Sequence, residues 1–290
     1  MGVSAVFCVL IAPNAETQKY LGLHSVKFCG IILLFGRAYP QIRKTEVSEM
    51  KYPIDLHTHT VASGHAYSTF KENTDHALKI GLEVLGVSDH APAMPYGATD
   101  YYFINISVIP RQYGSLRLLV GSELNILDYE GSIDLKEYQL KRTDYNIASL
   151  HPPCISPGSV EENTAALIGA IKNPYVNIIG HPCDPRYPFD MEAVVRAAVQ
   201  NDVLLEVNNA SYNKGTGRAG GEALTVEMLK MCKKFSHPVI LGSDAHFYSL
   251  IGDFSQTLPL LEAAEMPDEL VINTDVQKTL DIIDKKRRAI

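Results

Sequence analysis

The amino-acid sequence predicts an α/β fold in which strand–helix units close, or nearly close, into a barrel. Three observations carry that prediction. Short apolar runs of strand length alternate with amphipathic stretches of helical length from Tyr52 onward; seven such runs occur; and almost every one ends in a side chain able to hold a metal ion. Buried parallel strands joined by helices produce the alternation. In such a barrel the C-terminal strand ends gather on one rim, where the loops build a site.

The first strand is expected at YPIDLH (52–57), and a helical pattern follows at STFKENTDHALKIG (68–81). Strands are then expected at EVLGVSDH (83–90), LRLLVGSE (116–123) and YNIASLH (145–151). The helix SVEENTAALIGAIKN (159–173) carries Ser159 as N-cap with Glu162 three residues on, the pattern of a capping box. VNIIGH (176–181) precedes the helix DMEAVVRAAVQN (190–201), for which Asp190 is the natural N-cap. VLLEVN (203–208), the helix GEALTVEMLKMCKKF (221–235) and PVILGSDAH (238–246) complete the series. No internal repeat and no low-complexity segment interrupts it.

The strand ends hold the chemistry. In YPIDLHTHTVASGH (52–65), His57 and His59 share one strand face about 7 Å apart, so two imidazoles can converge on one ion. His65 can fold back after the turn at Ser63-Gly64. The later runs end in His90, Glu123, His151, His181, Asp244 and His246, and VLLEVN ends in Glu206, Asn208 and Asn209. Seven of the ten histidines thus converge on one mouth with two carboxylates. One such histidine reads as an ordinary structural residue; seven at strand ends read as a metal centre. His24, His76 and His237 receive no role. Imidazoles mixed with a few carboxylates suit zinc, with manganese or iron as alternatives.

Composition narrows the partners. The formal net charge is −7, and the one basic block, Lys285 to Arg288, reads as the cation-rich end of a helix, so no nucleic-acid partner is expected. A local site can still be strongly positive and take a small anion. Five cysteines, odd in number and without a CxxC, fit a reduced cytoplasmic chain better than a disulfide scaffold. Cys154 and Cys183 follow candidate histidines closely, but small buried residues beside a site are commoner than soft ligands. The apolar stretches AVFCVLIA and FCGIILLFG, within residues 1–49, are too short to span a bilayer, which takes roughly 20 residues. No Lys or Arg precedes Lys19, so a secretory signal is not expected either. Residues 1–49 read as an extension upstream of a native start at Met50, with one metal-binding domain over 50–290; peptides from 1–49 in the native protein would refute this.

The segments DLHTHTVASGH, GVSDHAP, GSELNI, SLHPP, IIGHP, LEVNN and GSDAH follow one another from Asp55 to His246. In these the chain resembles the PHP (polymerase and histidinol phosphatase) superfamily, in particular its stand-alone YcdX-type phosphatase branch, over roughly residues 50 to 275. The resemblance implies a distorted (β/α)7 TIM-like barrel holding three divalent ions, usually zinc, and hydrolysis of phosphate monoesters. It assigns His57, His59, Glu123 and Asp244 to one ion, and Glu123, His151 and His181 to a second. The third takes His65, His90 and His246. The expected reaction is attack on phosphorus by hydroxide from a metal-bound water whose pKa is lowered toward 7, with Glu123 and Asp244 as central carboxylates. Asp184, or a bound water, would protonate the leaving oxygen. Asp55, Asp89 and Asp184 are candidates to orient ligand imidazoles. Arg186, Lys214 and Arg218, in loops beyond strand ends, could clamp the phosphate. The loop NKGTGRAGG departs from the branch, which leaves substrate choice open. Members of the family can form homo-oligomers, although no interface is legible here.

Other readings are a histidinol-phosphate phosphatase, an amidohydrolase and a PHP accessory or nuclease module of a polymerase. Amidohydrolase barrels also place HxH after strand one but typically add a bridging lysine, and no lysine stands at a strand end here. An accessory module needs a polymerase domain or a basic surface. A metal-storage protein has no use for open coordination positions under a barrel mouth.

Overall fold

The computed structural model describes residues 50–288, so the extension at 1–49, with His24, lies outside the described residues. Every strand-like run becomes a strand or pair of strands: β1 (Ile54–Asp55), β2 (Val84–Val87), β4 (Leu116–Val120) and β5 (Ser122–Asn125), β6 (Asn146–Ser149), β7 (Ile178–Ile179), β8 (Leu204–Asn208) and β9 (Val239–Gly242). The short β3 (Gln112–Tyr113), absent from the sequence prediction, pairs antiparallel with β4; the other pairings between these strands are parallel.

Two sheets result, ordered β1-β2-β4-β3 and β5-β6-β7-β8-β9. The run expected at 116–123 divides at Gly121, because β4 pairs with β2 and β5 with β6. A Cβ at Gly121 would lie 2.4 Å from the Tyr145 carbonyl, so only glycine fits where the chain passes from one sheet to the other. Isolated parallel bridges join the two sheets twice, from Thr58 after β1 to Ala245 after β9 and from His90 after β2 to Glu123 in β5. Seven parallel strand positions therefore follow one another around a distorted barrel.

The helices α1 (Phe70–Ile80), α4 (Val160–Lys172), α5 (Met191–Gln200) and α6 (Glu222–Lys234) lie where expected. The Ser159–Glu162 capping box forms, and Asp190 accepts the Ala193 amide. α2 (Asp100–Asn105), α3 (Glu137–Leu140) and α7 (Leu258–Ala263) are shorter and were not anticipated. α8 (Val276–Arg288) ends in the basic block, as the dipole argument requires. Among the described residues no helix is long and apolar enough to cross a membrane.

The inner face changes character along each strand. Ile147, Ile178, Leu204 and Ile240 pack together as an apolar floor with Ile54, Leu56 and Ile283. Two residues further along β6, β7, β8 and β9, on the same face, stand Ser149, Gly180, Glu206 and Gly242. Leu205, Val207 and Leu241 point the other way, into the core shared with the helices. Tyr145, fully buried, donates its hydroxyl to the Leu56 carbonyl from below. The floor thus underlies the mouth, where Ser149 and Glu206 stand on the same inner face.

Candidate metal centre

All nine residues expected to hold metal come together. Glu123 lies at the centre: its Oε2 is 2.8 Å from His90 Nδ1, 3.4 Å from His57 Nε2 and 3.5 Å from His59 Nε2, while its Oε1 is 3.0 Å from His181 and 3.2 Å from His151. Asp244 Oδ1 lies 3.2 Å from His59, 3.4 Å from His246 and 3.6 Å from His57. His65, exposed at the edge of the mouth, places its Nε2 3.0 Å from Nε2 of His246. The mutually closest donor sets are His57-His59-Glu123, His59-His90-His246 and His90-Glu123-His151. These sets overlap, so His59 and His90 stand between groups that the resemblance keeps apart.

Four of the ring nitrogens turned from the cluster are held by acceptors, whereas Nδ1 of His181 is buried without one. Nδ1 of His57 donates to Glu206 Oε1 at 2.6 Å, Nδ1 of His151 to Asn125 Oδ1 at 2.7 Å, and Nδ1 of His246 to the Asp244 carbonyl at 3.0 Å. Nδ1 of His59 meets Ser63 Oγ at 3.0 Å; that hydroxyl donates to Asp89 Oδ1 at 2.6 Å and so accepts from the ring. In each case the proton sits on Nδ1 and the Nε2 lone pair points inward. The inward atoms His57 Nε2, His59 Nε2, His90 Nδ1, His151 Nε2 and Glu123 Oε2 are buried and make no hydrogen bond. Buried polar atoms without partners are rare and costly. Here they are soft-to-borderline nitrogen donors around ionised carboxylates, the donor set that divalent zinc takes.

Electrostatics agree. Burial alone would raise the Glu123 carboxyl, but His151, His90 and His57 outweigh it and hold the group well below the usual carboxylate range. Asp244 follows the same pattern, with burial outweighed by His57, His59 and Arg218. Burial, then His246 and His90, push His59 far down, and burial takes His151 down to about 4, so both offer neutral imidazole. His57 is the exception: burial opposes its charge, yet Glu206, Glu123 and Asp244 together raise it, and a cation must displace that proton. His181 and Asp244 both adopt positive φ, 30° and 54°, a strained conformation outside glycine that turns each off its strand end into the mouth.

The surrounding residues depart from expectation in part. Asp55 does not orient an imidazole; it accepts backbone amides of His57, Ser243 and Gly252 and ties β1 to the loops after β9. Glu206 takes that role for His57, and its other oxygen accepts the His181 amide at 2.7 Å. Asp89 acts on His59 through Ser63 and is itself held by Thr60 and Tyr102. Asn125 is held by Asp134 and the Ala91 carbonyl. Glu206, at the end of VLLEVN, and Ser63, in a turn, are named from the sequence without a role for either, and Asn125 is missed; its signal was the strand face it shares with Glu123. Asp184 and Arg186 are spent on each other, through Nε and Nη2 of the guanidinium at 2.6–3.1 Å. Arg218 reaches the cluster directly, with Nη1 3.0 Å from Asp244 Oδ2. Lys214 is exposed, and no contact ties it to the cluster. Burial pushes the thiols of Cys154 and Cys183 up to about 11 and about 12, and neither joins the donor sets.

This centre has relatives. Residues 55–210 match the family model of the PHP domain. A protein of Clostridium novyi (strain NT) named probable phosphatase is 47% identical over 237 residues, 82% of this chain and 96% of its own length. Histidinol phosphate phosphatase from Lactococcus lactis, complexed with zinc, L-histidinol and phosphate, superposes with a TM-score of 0.54 over 74% of this chain and 94% of that chain, at 18% identity. A chain of archaeal Ribonuclease P with mature tRNA does so at 0.52, over 82% of this chain and 92% of that one, at 16% identity. At such identities the two structures speak for the fold alone. The family model covers more than half of the sequence, and it runs through six of the seven histidines that meet at the barrel mouth: the chain belongs to the PHP domain family.

Proposed function

We propose that this chain is a metal-dependent phosphatase that hydrolyses small phosphate monoesters at a centre of three divalent ions, zinc foremost. The observation that carries the reading is the set of inward, unpartnered imidazole nitrogens around Glu123 and Asp244. In this proposal His57, His59, Glu123 and Asp244 hold one ion, Glu123, His151 and His181 a second, and His65, His90 and His246 a third. Bound ions would supply concentrated positive charge that lowers the pKa of water toward neutrality and offsets the charge of a phosphate dianion.

The protein's own groups do the rest. Glu206, Asn125 and Ser63 fix three imidazoles by their outer nitrogens, so the inner ones need no reorganisation. Arg218 is anchored through Nη1 by Asp244, Asn208 and Ser211, which leaves its other N–H groups for a phosphate oxygen. Asp184 holds Arg186 through Nε and Nη2, so Asp184 must give up that pair before it acts as proton donor, while Nη1 of Arg186 lies outside the pair. Similarity to proteins named probable phosphatases supports the reaction class.

The test is phosphate release from a panel of monoesters, histidinol phosphate among them, by metal-loaded and by chelated protein. Turnover confined to the loaded form is expected. Full metal content without turnover of any monoester, or turnover that survives complete metal removal, refutes the proposal.

A further inference from the structure

The mouth of the metal centre is lined unevenly. Loops after the adjacent strands β7 and β8 bring Arg186 and Arg218. Loops after β9, β1 and β2, adjacent on the other side of the ring, bring large aromatic side chains wholly or partly in water: Tyr67 is 76% exposed, Tyr96 90% and Phe247, whose ring lies 4.6 Å from that of Tyr248, 43%. All three are tied to one histidine pair. The Tyr67 amide donates to the His246 carbonyl at 2.9 Å, and Phe247 follows His246 in the chain. Tyr96 rests on Gly64, beside His65, so closely that a Cβ on Gly64 would stand 2.6 Å from the Tyr96 Cβ.

Single exposed apolar side chains are unremarkable, but grouped ones at a site mark binding surfaces. Tyr96 adds a second cost. Its φ of 65° lies in the left-handed region, an outlier for a bulky residue, and its exposed ring adds nothing to the core. Strain of this kind points to function when the surroundings enforce it, and here the contact with Gly64 does.

We propose that Tyr67, Tyr96 and Phe247 form the leaving-group subsite of the metal centre, and that the preferred substrate is a phosphate monoester whose alcohol carries a planar aromatic ring. This rests on the phosphatase reading above. The cluster and Arg218 draw the phosphate dianion to the depth of the mouth, and the alcohol then extends over the open edge at His65, where the rings stand. A flat ring stacks on tyrosine faces; a saturated ring of the same size does not.

The experiment is calorimetric binding to the metal-loaded full chain of benzylphosphonate and cyclohexylmethylphosphonate. These probes carry the same dianion on the same carbon framework and are not hydrolysed, and the saturated one is the more apolar, so burial alone favours it. Benzylphosphonate should bind about fivefold more tightly. The Tyr67→Ser/Tyr96→Gly double variant should lose that preference while keeping its metal content and melting temperature, because glycine relieves the positive φ. Equal affinities, or a preference that survives in the variant, overturn the inference. So does a variant whose only change is its oligomeric mass by light scattering, since the rings then serve a contact between copies. Phosphate release is read separately: monoester turnover without ring preference defeats this inference alone. Ring-selective phosphonate binding without turnover of any ester defeats the phosphatase reading and leaves the subsite standing.

Discussion

Replacing Glu206 by glutamine asks whether one buried carboxylate sets the geometry of the metal centre. Its Oε1 accepts from His57 Nδ1 at 2.6 Å, and its Oε2 accepts from the His181 amide at 2.7 Å and from Asn208 Nδ2 at 3.1 Å. All three partners are donors, so both oxygens must accept. Glutamine keeps the shape but offers one oxygen and one NH2 group, and in either orientation an N–H faces another donor. Turned toward His57, the amide forces the proton onto Nε2 and blocks the nitrogen that faces Glu123 and Asp244. Turned the other way, it leaves the His181 amide without its acceptor and Asn208 with Asp244 alone. A lost charge-assisted bond in a dry site costs about 1.5–3 kcal/mol, which is roughly 10- to 150-fold in a binding constant. The assay is metal content by mass spectrometry across a chelator titration, with circular dichroism as a control on the fold. The Glu206→Gln variant should lose half its metal at a chelator concentration about tenfold or more below that for the parent. Superimposable titrations of the two proteins would refute the reasoning.

Three further outcomes follow from the same geometry. Ser63→Ala strands Nδ1 of His59 and the His90 amide and leaves Asp89 Oδ1 with the Thr60 amide alone, so metal affinity should fall by about tenfold in the same titration, and Ser63→Thr should restore part of it. Gly242→Ala puts a Cβ 1.9 Å from Glu206 Oε1, so the variant should melt lower and bind less metal, whereas a displacement confined to the β9 backbone would leave metal content unchanged. Burial lowers the Lys286 ammonium to about 8, against partial compensation by Asp202. The unfolded chain therefore binds more protons than the folded one between about pH 8 and the free value of 10.5, and stability from this group rises with pH across that window. Lys286→Met should then stabilise the protein at pH 7 by about 1–2 kcal/mol, allowing for the partial exposure of the group. The gain should shrink toward pH 10.5 in paired urea titrations; a pH-independent difference between the two proteins would count against the buried charge.

Much of this molecule is legible before folding. Apolar runs such as VNIIGH and VLLEVN, with the caps Ser159 and Asp190, place the long elements within a residue or two, because periodicity and capping are local properties. α2, α3 and α7, of four to six residues, and β3, of two, escape prediction because they are too short to show a period. The nine candidate ligands are legible for the same local reason, since each ends or follows an apolar run and parallel strands bring their ends to one rim.

Their orientation is not legible. His57 and Glu206 lie 149 residues apart and meet because β8 and β1 flank β9 in the ring. Asp55, two residues from His57 and the nearer guess, turns to backbone amides instead. The sequence by itself determined which side chains reach the mouth, because alternation along a strand is built into the backbone. Only the tertiary structure decided which nitrogen of each imidazole faces inward, because a hydrogen-bond partner belongs to whichever strand becomes a neighbour.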